Sequence, residues 1–194
     1  MLFFTAEFLV LFTLFMCLYS FLSPKNRVFL VLIASYVFYG WWDVRFLFLL
    51  ITSTLVDFYV GKAFQKYENL SQRRMILSIS VLTNLGMLGF FKYYNFFIDT
   101  FVDAFGLSSN EALYVSVLLP PGISFYTFQT LAYSIDVYKK RTLPENDLPT
   151  FAAFVAFFPQ LIAGPIERSN YLIPQLKKLG NINLAFIFWV VISG

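Results

Sequence analysis

What most constrains this chain is the recurrence of apolar runs long enough to cross a bilayer. A spanning helix needs about 20 apolar residues, within a usable range of roughly 17 to 25. Five stretches of the sequence qualify as spans: residues 2–22, 28–42, 46–60, 75–91 and 114–138. The second and third are short, so their ends are expected to extend into the Gly40-Trp41-Trp42-Asp43 turn and its interfacial neighbours. Composition agrees, since 59% of positions are hydrophobic and only 13% are charged, about half the charged share of ordinary soluble domains. The 26 Phe, 12 Tyr and 3 Trp exceed what one small core buries but suit lipid-facing surfaces and interfacial belts. The fold class expected is therefore all-α, a polytopic bundle of transmembrane helices, with membrane lipids as its main apolar solvent.

Basic residues collect after alternate spans. Lys25 and Arg27 follow the first, Lys62, Lys66, Arg73 and Arg74 the third, and Lys139, Lys140 and Arg141 the fifth. The intervening loops carry Asp43 with Arg45, and then Asp99, Asp103 and Glu111. The positive-inside rule then puts the N-terminus outside and the basic loops in the cytoplasm. A net charge of +3 dispersed in this way marks topology and leaves no nucleic-acid surface. The first run has no basic start and no small-residue cleavage site, which excludes a secretory signal. Cys17 lies alone inside that run, where it can form no internal disulfide.

Several segments depart from simple spans. Residues 93–107 read as an amphipathic helix along the outer interface, with Phe96, Phe97, Phe101, Val102 and Phe105 at helical spacing. Pro120 and Pro121 interrupt the fifth run, so a helix should start afresh near Pro121 after a short approach over 114–119. Residues 151–166 are apolar but punctuated by Pro159, Gly164 and Pro165, and basic loops flank both sides, which predicts a re-entrant hairpin returning to the cytoplasm. The last apolar run, 184–193, is about half a span. It reads as the start of a further helix in a chain truncated at its C-terminus.

Polar groups inside apolar helices are costly and therefore informative. On the helix after Pro121, Gln129, Tyr133, Asp136 and Lys140 fall at offsets of four, seven and eleven, one stripe that must face protein or water. Such a stripe either lines a substrate path or holds neighbouring helices by hydrogen bonds. Ser124 and Thr127, near the fresh helix start, are expected to cap it. Asp57 with Ser53 and Thr54 reads as a structural polar cluster. Asp57 and Asp136 are both placed near cytoplasmic helix ends, where a carboxylate stays ionised and weakly basic.

The stretch Pro120-Pro121-Gly122-Ile123-Ser124-Phe125-Tyr126-Thr127-Phe128-Gln129, running on to Tyr133-Ser134-Ile135-Asp136-Val137-Tyr138, resembles the membrane-bound O-acyltransferase family. The alginate O-acetyltransferase membrane-subunit branch is the nearest in pattern. Phe158-Pro159-Gln160-Leu161-Ile162-Ala163-Gly164-Pro165-Ile166 resembles a second stretch of that branch. Ala34-Ser35-Tyr36-Val37-Phe38-Tyr39-Gly40-Trp41-Trp42 followed by Ser53-Thr54-Leu55-Val56-Asp57 resembles its beginning.

The resemblance covers essentially all 194 residues and implies that 1–194 form the N-terminal part of one membrane-embedded acyltransferase domain. It further implies a helical bundle around a central funnel, in which a deep histidine activates a hydroxyl for acyl transfer. Ser124, Gln129, Tyr133, Asp136, Gly164, Pro165, Glu167 and Arg168 are the funnel candidates, the last four at its cytoplasmic mouth. The sequence holds no histidine, so the chain alone is expected to be inactive, with no catalytic residue among these positions.

The activity implied is transfer of acetyl toward an exported, alginate-like polysaccharide in the bacterial inner membrane. Acetyl-CoA or another acyl donor is the implied substrate, an extracytoplasmic acetyltransferase the implied partner, and no metal or bound cofactor is expected. Two rivals stand beside it. One is a transporter or export subunit gated by the broken fifth helix and the hairpin, and the other a truncated, non-catalytic paralogue.

Overall fold

The computed structural model describes residues 5–105, 119–163 and 167–178. Among these residues every regular element is helical: α1 Ala6–Phe21, α2 Pro24–Gly40, α3 Val44–Lys66, α4 Leu70–Leu88, α5 Tyr94–Phe105, α6 Ile123–Tyr138, α7 Leu148–Val155, α8 Phe158–Ala163 and α9 Ser169–Lys177. A five-residue π-helical turn, Gly89–Tyr93, joins α4 to α5.

Helix starts are written locally. Thr5, Asp43, Asn69 and Asp147 each accept a backbone N–H of the first turn, at α1, α3, α4 and α7. Pro24 opens α2, where its missing N–H is not needed. Gly122 precedes α6 with φ of 73°, a left-handed turn that only glycine adopts freely, immediately after Pro120 and Pro121. The fresh helix start expected near Pro121 is thus found at Ile123.

The helices α3, α4 and α6 form a mutually packed trio, and α2 packs on α3, α1 and α7. Along α1, Phe8, Phe15 and Tyr19 are buried at spacings of seven and four, while Leu9, Val10, Leu14, Leu18 and Phe21 are exposed. The α8 residue Phe158 sits among Phe8, Phe15 and Phe38, with ring centroids at 6.4, 5.9 and 5.6 Å, which fastens α8 to α1 and α2. Ser35 of α2 adds a polar tie by accepting the Phe158 N–H at 3.3 Å.

Two helical stretches, Val44–Lys66 and Leu70–Tyr93, are long and apolar enough to cross a membrane. Their boundaries differ from those expected. The second and third runs do not extend into Trp41, Trp42 and Asp43, which remain a turn. Instead α2 begins earlier, at Pro24, and α3 continues past Val60 to Lys66. Asp43 caps α3 and so stops the extension there, whereas Lys62 and Lys66 prolong the far end by laying cations near the helix C-terminus. The first run yields 16 described helical residues and the fifth another 16. Residues 114–118 of the fifth lie outside the described residues.

The amphipathic segment is helix α5, on which Phe96, Phe97 and Phe101 are exposed and Val102 is buried. The 151–166 segment is two short helices broken at Ala156–Phe157, and Phe151 to Ala156 are buried throughout. Its turn, with Gly164 and Pro165, falls outside the described residues, as does the run 184–193.

Candidate functional site

Three polar pairs spaced four residues apart, Ser53 with Asp57, Ser80 with Asn84, and Thr130 with Ser134, face one another across α3, α4 and α6. All six are buried, and Asp57 is 0% exposed. Ser80 and Ser134 donate their hydroxyls to Asp57 Oδ1, Ser134 at 2.6 Å, while Asn84 Nδ2 donates to Oδ2 at 2.6 Å. Asn84 is oriented by its other contacts. Its Nδ2 also donates to the Ser80 carbonyl at 3.0 Å, and its Oδ1 accepts from Ser53 at 2.7 Å and Thr130 at 3.2 Å. Every oxygen of the carboxylate is thereby used, which is what an apolar surrounding demands of a buried polar group.

This arrangement corrects the expectation for Asp57. It is not near its helix end but about two and a half turns short of Lys66. Ser53 joins the cluster as expected, whereas Thr54 turns back and donates to the Leu50 carbonyl at 2.7 Å.

The neighbouring face of α6, about 100° round the helix, carries the sequence stripe. Gln129 Nε2 donates to the Phe154 carbonyl at 3.0 Å and lies 3.5 Å from Gln160 Oε1, so it ties α6 to α7 and α8. Tyr133 packs against Phe151 with ring centroids 4.6 Å apart and planes tilted by 49°, and its hydroxyl accepts the Glu145 N–H at 3.0 Å. Glu145 in turn accepts the N–H groups of Asn146 and Asp147 and pairs with Lys177 of α9 at 2.8 Å. Gly61 of α3 is what admits the Tyr133 ring, because a Cβ there would stand 2.5 Å from the hydroxyl.

The stripe does not continue as the spacing suggested. Asp136 is half-buried beside Arg141 at 3.8 Å, and Lys140 is off the helix altogether, with φ of 58°. The N–H groups of Lys140 and Arg141 return to the Val137 and Asp136 carbonyls at 3.0 and 2.8 Å, closing the helix at Tyr138, where the fifth run was expected to end.

At the other end, Ser124 is not a cap either: α6 has no side-chain cap, and Ser124 Oγ accepts from Lys92 Nζ at 3.0 Å. Lys92 is delivered there by the π-helical turn, which shifts the register of the residues that follow α4. Thr127 does not cap the helix either; it is fully buried, and its hydroxyl has no hydrogen-bond partner among the described residues. Of the remaining candidates, Glu167 and Arg168 are exposed just before α9, with Arg168 in its N-cap position, and Gly164 and Pro165 lie outside the described residues.

Structure thus unites Gln129 and Tyr133 on one packed face and leaves Ser124 and Asp136 at opposite ends. Sequence reasoning missed Ser80, Asn84, Thr130 and Ser134. Their repeated spacing of four, on the two helices other than that of Asp57, was the available signal.

Comparison with known proteins places these helices. The chain is 42% identical over 184 residues to a probable alginate O-acetylase, AlgI, of Pseudomonas aeruginosa, covering 91% of this chain and 35% of that protein. The corresponding protein of Pseudomonas putida is 42% identical over 92% of this chain and 37% of its own length. A peptidoglycan O-acetyltransferase of Helicobacter pylori is 34% identical over 78% of this chain and 33% of its own length. No family model matches, and no solved structure does. The chain belongs to the membrane-bound O-acyltransferase family. Within it, probable alginate O-acetylases are relatives at 38–42% identity, and the chain spans about a third of their length.

Proposed function

We propose that this chain supplies part of the membrane framework of an O-acetyltransferase that acts on an exported bacterial polysaccharide. The observation that carries the reading is the 42% identity to an alginate O-acetylase along nine-tenths of the chain. In this reading the protein crosses the inner membrane five times, with its N-terminus outside, its basic loops in the cytoplasm, and the α7–α8 segment as a re-entrant hairpin. Helix α5 lies in the outer interface, where its exposed phenylalanines enter the headgroup boundary.

A sugar hydroxyl is a poor nucleophile near neutral pH, and its attack on an acyl carbonyl calls for a general base. Imidazole suits that role, but these 194 residues contain no histidine, and we assign the base to polypeptide beyond them. What these residues contribute is position. The Asp57 cluster fixes α3, α4 and α6 on one another, and Gln129 and Tyr133 fix α6 on the α7–α8 segment, so the wall facing the reacting groups is stiff. We assign acetyl-CoA as donor and an extracytoplasmic acetyltransferase as partner.

Membranes carrying this chain alone, given labelled acetyl-CoA and alginate, are expected to transfer no label. Membranes carrying it joined to the remaining part of the Pseudomonas aeruginosa relative are expected to acetylate alginate. The relationship to a peptidoglycan O-acetyltransferase makes peptidoglycan the second acceptor to supply. A chimaera that reaches the membrane but acetylates neither acceptor, beside an active intact relative, rules the reading out.

A further inference from the structure

At one end of the bundle α3 and α6 finish and α4 begins, and a single buried guanidinium binds all three. Arg73 of α4 donates through Nη1 to the carbonyls of Phe64 and Tyr67 at 2.9 and 3.4 Å, and through Nη2 to those of Val137 and Tyr138 at 3.3 and 2.8 Å. It lies over the rings of Phe64 and Tyr138, at 4.8 and 5.7 Å from their centroids. Among the described residues the partners of its Nη1 and Nη2 are carbonyls, and no carboxylate pairs with its charge.

The lysines on those two helix ends are consequently gathered on one rim. Lys62 and Lys66 stand on α3, Lys139, Lys140 and Arg141 follow α6, and Arg74 adjoins Arg73; all six are exposed. Most carboxylates at this end are engaged locally. Glu145 pairs with Lys177 at 2.8 Å, Asp147 caps α7 and Asp136 lies beside Arg141, while Glu68 is exposed.

Lys140 sharpens the point. It holds the left-handed position that closes α6, with φ of 58°, where glycine would sit without steric cost. Backbone strain borne by a cation at a cationic rim points to a use for the charge.

We propose that this rim binds the phosphate headgroups of anionic phospholipids in the leaflet where α3 and α6 end. The proposal rests on the membrane-spanning reading above. Fixed cations at the depth where helices leave the hydrocarbon meet anionic headgroups directly. The aromatic rings of Phe64 and Tyr138, which flank Arg73, and of Tyr67, which lies under Lys66, belong to that same boundary.

The test is thermal unfolding of the purified chain in uncharged detergent with phosphatidylglycerol or phosphatidylcholine added. Phosphatidylglycerol is expected to raise Tm by several degrees over phosphatidylcholine, by less at high salt. The variant Lys139→Gln, Lys140→Gln, Arg141→Gln is expected to lose most of that rise while melting normally in phosphatidylcholine. Inorganic phosphate at the same phosphate concentration is expected to give no rise. Equal melting in both lipids, a rise kept by the triple variant, or a rise reproduced by inorganic phosphate would each overturn the proposal. A chain that stayed monodisperse without detergent would instead remove the membrane-spanning reading beneath it.

Discussion

Tyr133 lies hard against the backbone of Gly61, which has no side chain to obstruct it. A methyl group on Gly61 would stand 2.5 Å from the Tyr133 hydroxyl and 3.2 Å from two of its ring carbons, and Phe151, packed against the ring with centroids 4.6 Å apart, limits its retreat. Gly61→Ala is expected to destabilise by about 1–3 kcal/mol, the usual cost of overpacking. Tyr133→Phe deletes the hydroxyl and leaves the Glu145 N–H without its acceptor, but it also opens the space. Unfolding of the double variant in detergent should therefore cost less than the sum of the singles; strict additivity would show that the two positions do not meet. At Asp57 the expectation concerns unmet donors. Asp57→Ala strands Ser80, Ser134 and Asn84, and with interhelical hydrogen bonds in membranes worth roughly 0.6 to 1.7 kcal/mol each, the loss should be about 2 kcal/mol or more. Asp57→Asn should lose less, because the serine hydroxyls can turn and accept. An alanine variant as stable as wild type in the same melt would mean the cluster holds nothing together.

Helix boundaries carry the next level of information. Asp43 caps α3 and is gripped by Arg45, whose side chain donates to both carboxylate oxygens and whose N–H donates to Oδ1 at 2.8 Å. The Arg45 hydrogen bonds hold the Asp43 carboxyl below its ordinary range. A depressed folded-state pKa means the cap contributes above the ordinary aspartate pKa and fades as pH falls through the lower folded value. Amide exchange at the start of α3, corrected for intrinsic rates, should accordingly quicken on acidification, and Asp43→Asn, which still caps, should abolish that pH dependence. The end of α6 gives the complementary expectation. Lys140→Gly relieves a left-handed lysine, a cost of about 1–2 kcal/mol, against about 0.4–1 kcal/mol of added unfolded-state entropy, so stability in neutral detergent should rise by roughly 0.5–1 kcal/mol, read from the unfolding midpoint.

These ends also mark what sequence could and could not disclose. Pro120, Pro121 and Gly122 announced the α6 start, since their backbone limits are intrinsic. The finish at Tyr138 was equally legible, since the apolar run gives way there to Lys139, Lys140 and Arg141. Only the helical stripe was carried too far, to Lys140, because a lysine occupies the left-handed position where a glycine would have marked the chain as already off the helix.

For the molecule as a whole, apolar runs were enough to read a helical membrane protein, and three ordered motifs to read its family. The interior was less legible. Asp57 was visible as a lone acid in an apolar run, but its partners Ser80, Asn84 and Ser134 come from helices 23 to 77 residues away, and only packing reveals which faces meet. Gln129 and Tyr133 were picked out correctly as inward-facing, yet what they face is the backbone of the α7 region. One consequence follows for α6. Its Thr130 and Ser134 are claimed by α3 and α4 while Gln129 and Tyr133 are claimed from the other flank, so the element is gripped on two sides at once. A single alanine inserted between Phe128 and Gln129 would swing every later side chain by about 100° and spoil both grips together, where one inserted in α1, with three buried residues against nine on α6, would disturb fewer contacts. Insertion scanning scored by protein abundance in the membrane should find α6 the least forgiving stretch and α1 among the most forgiving, which is the behaviour of a keystone set among replaceable stones.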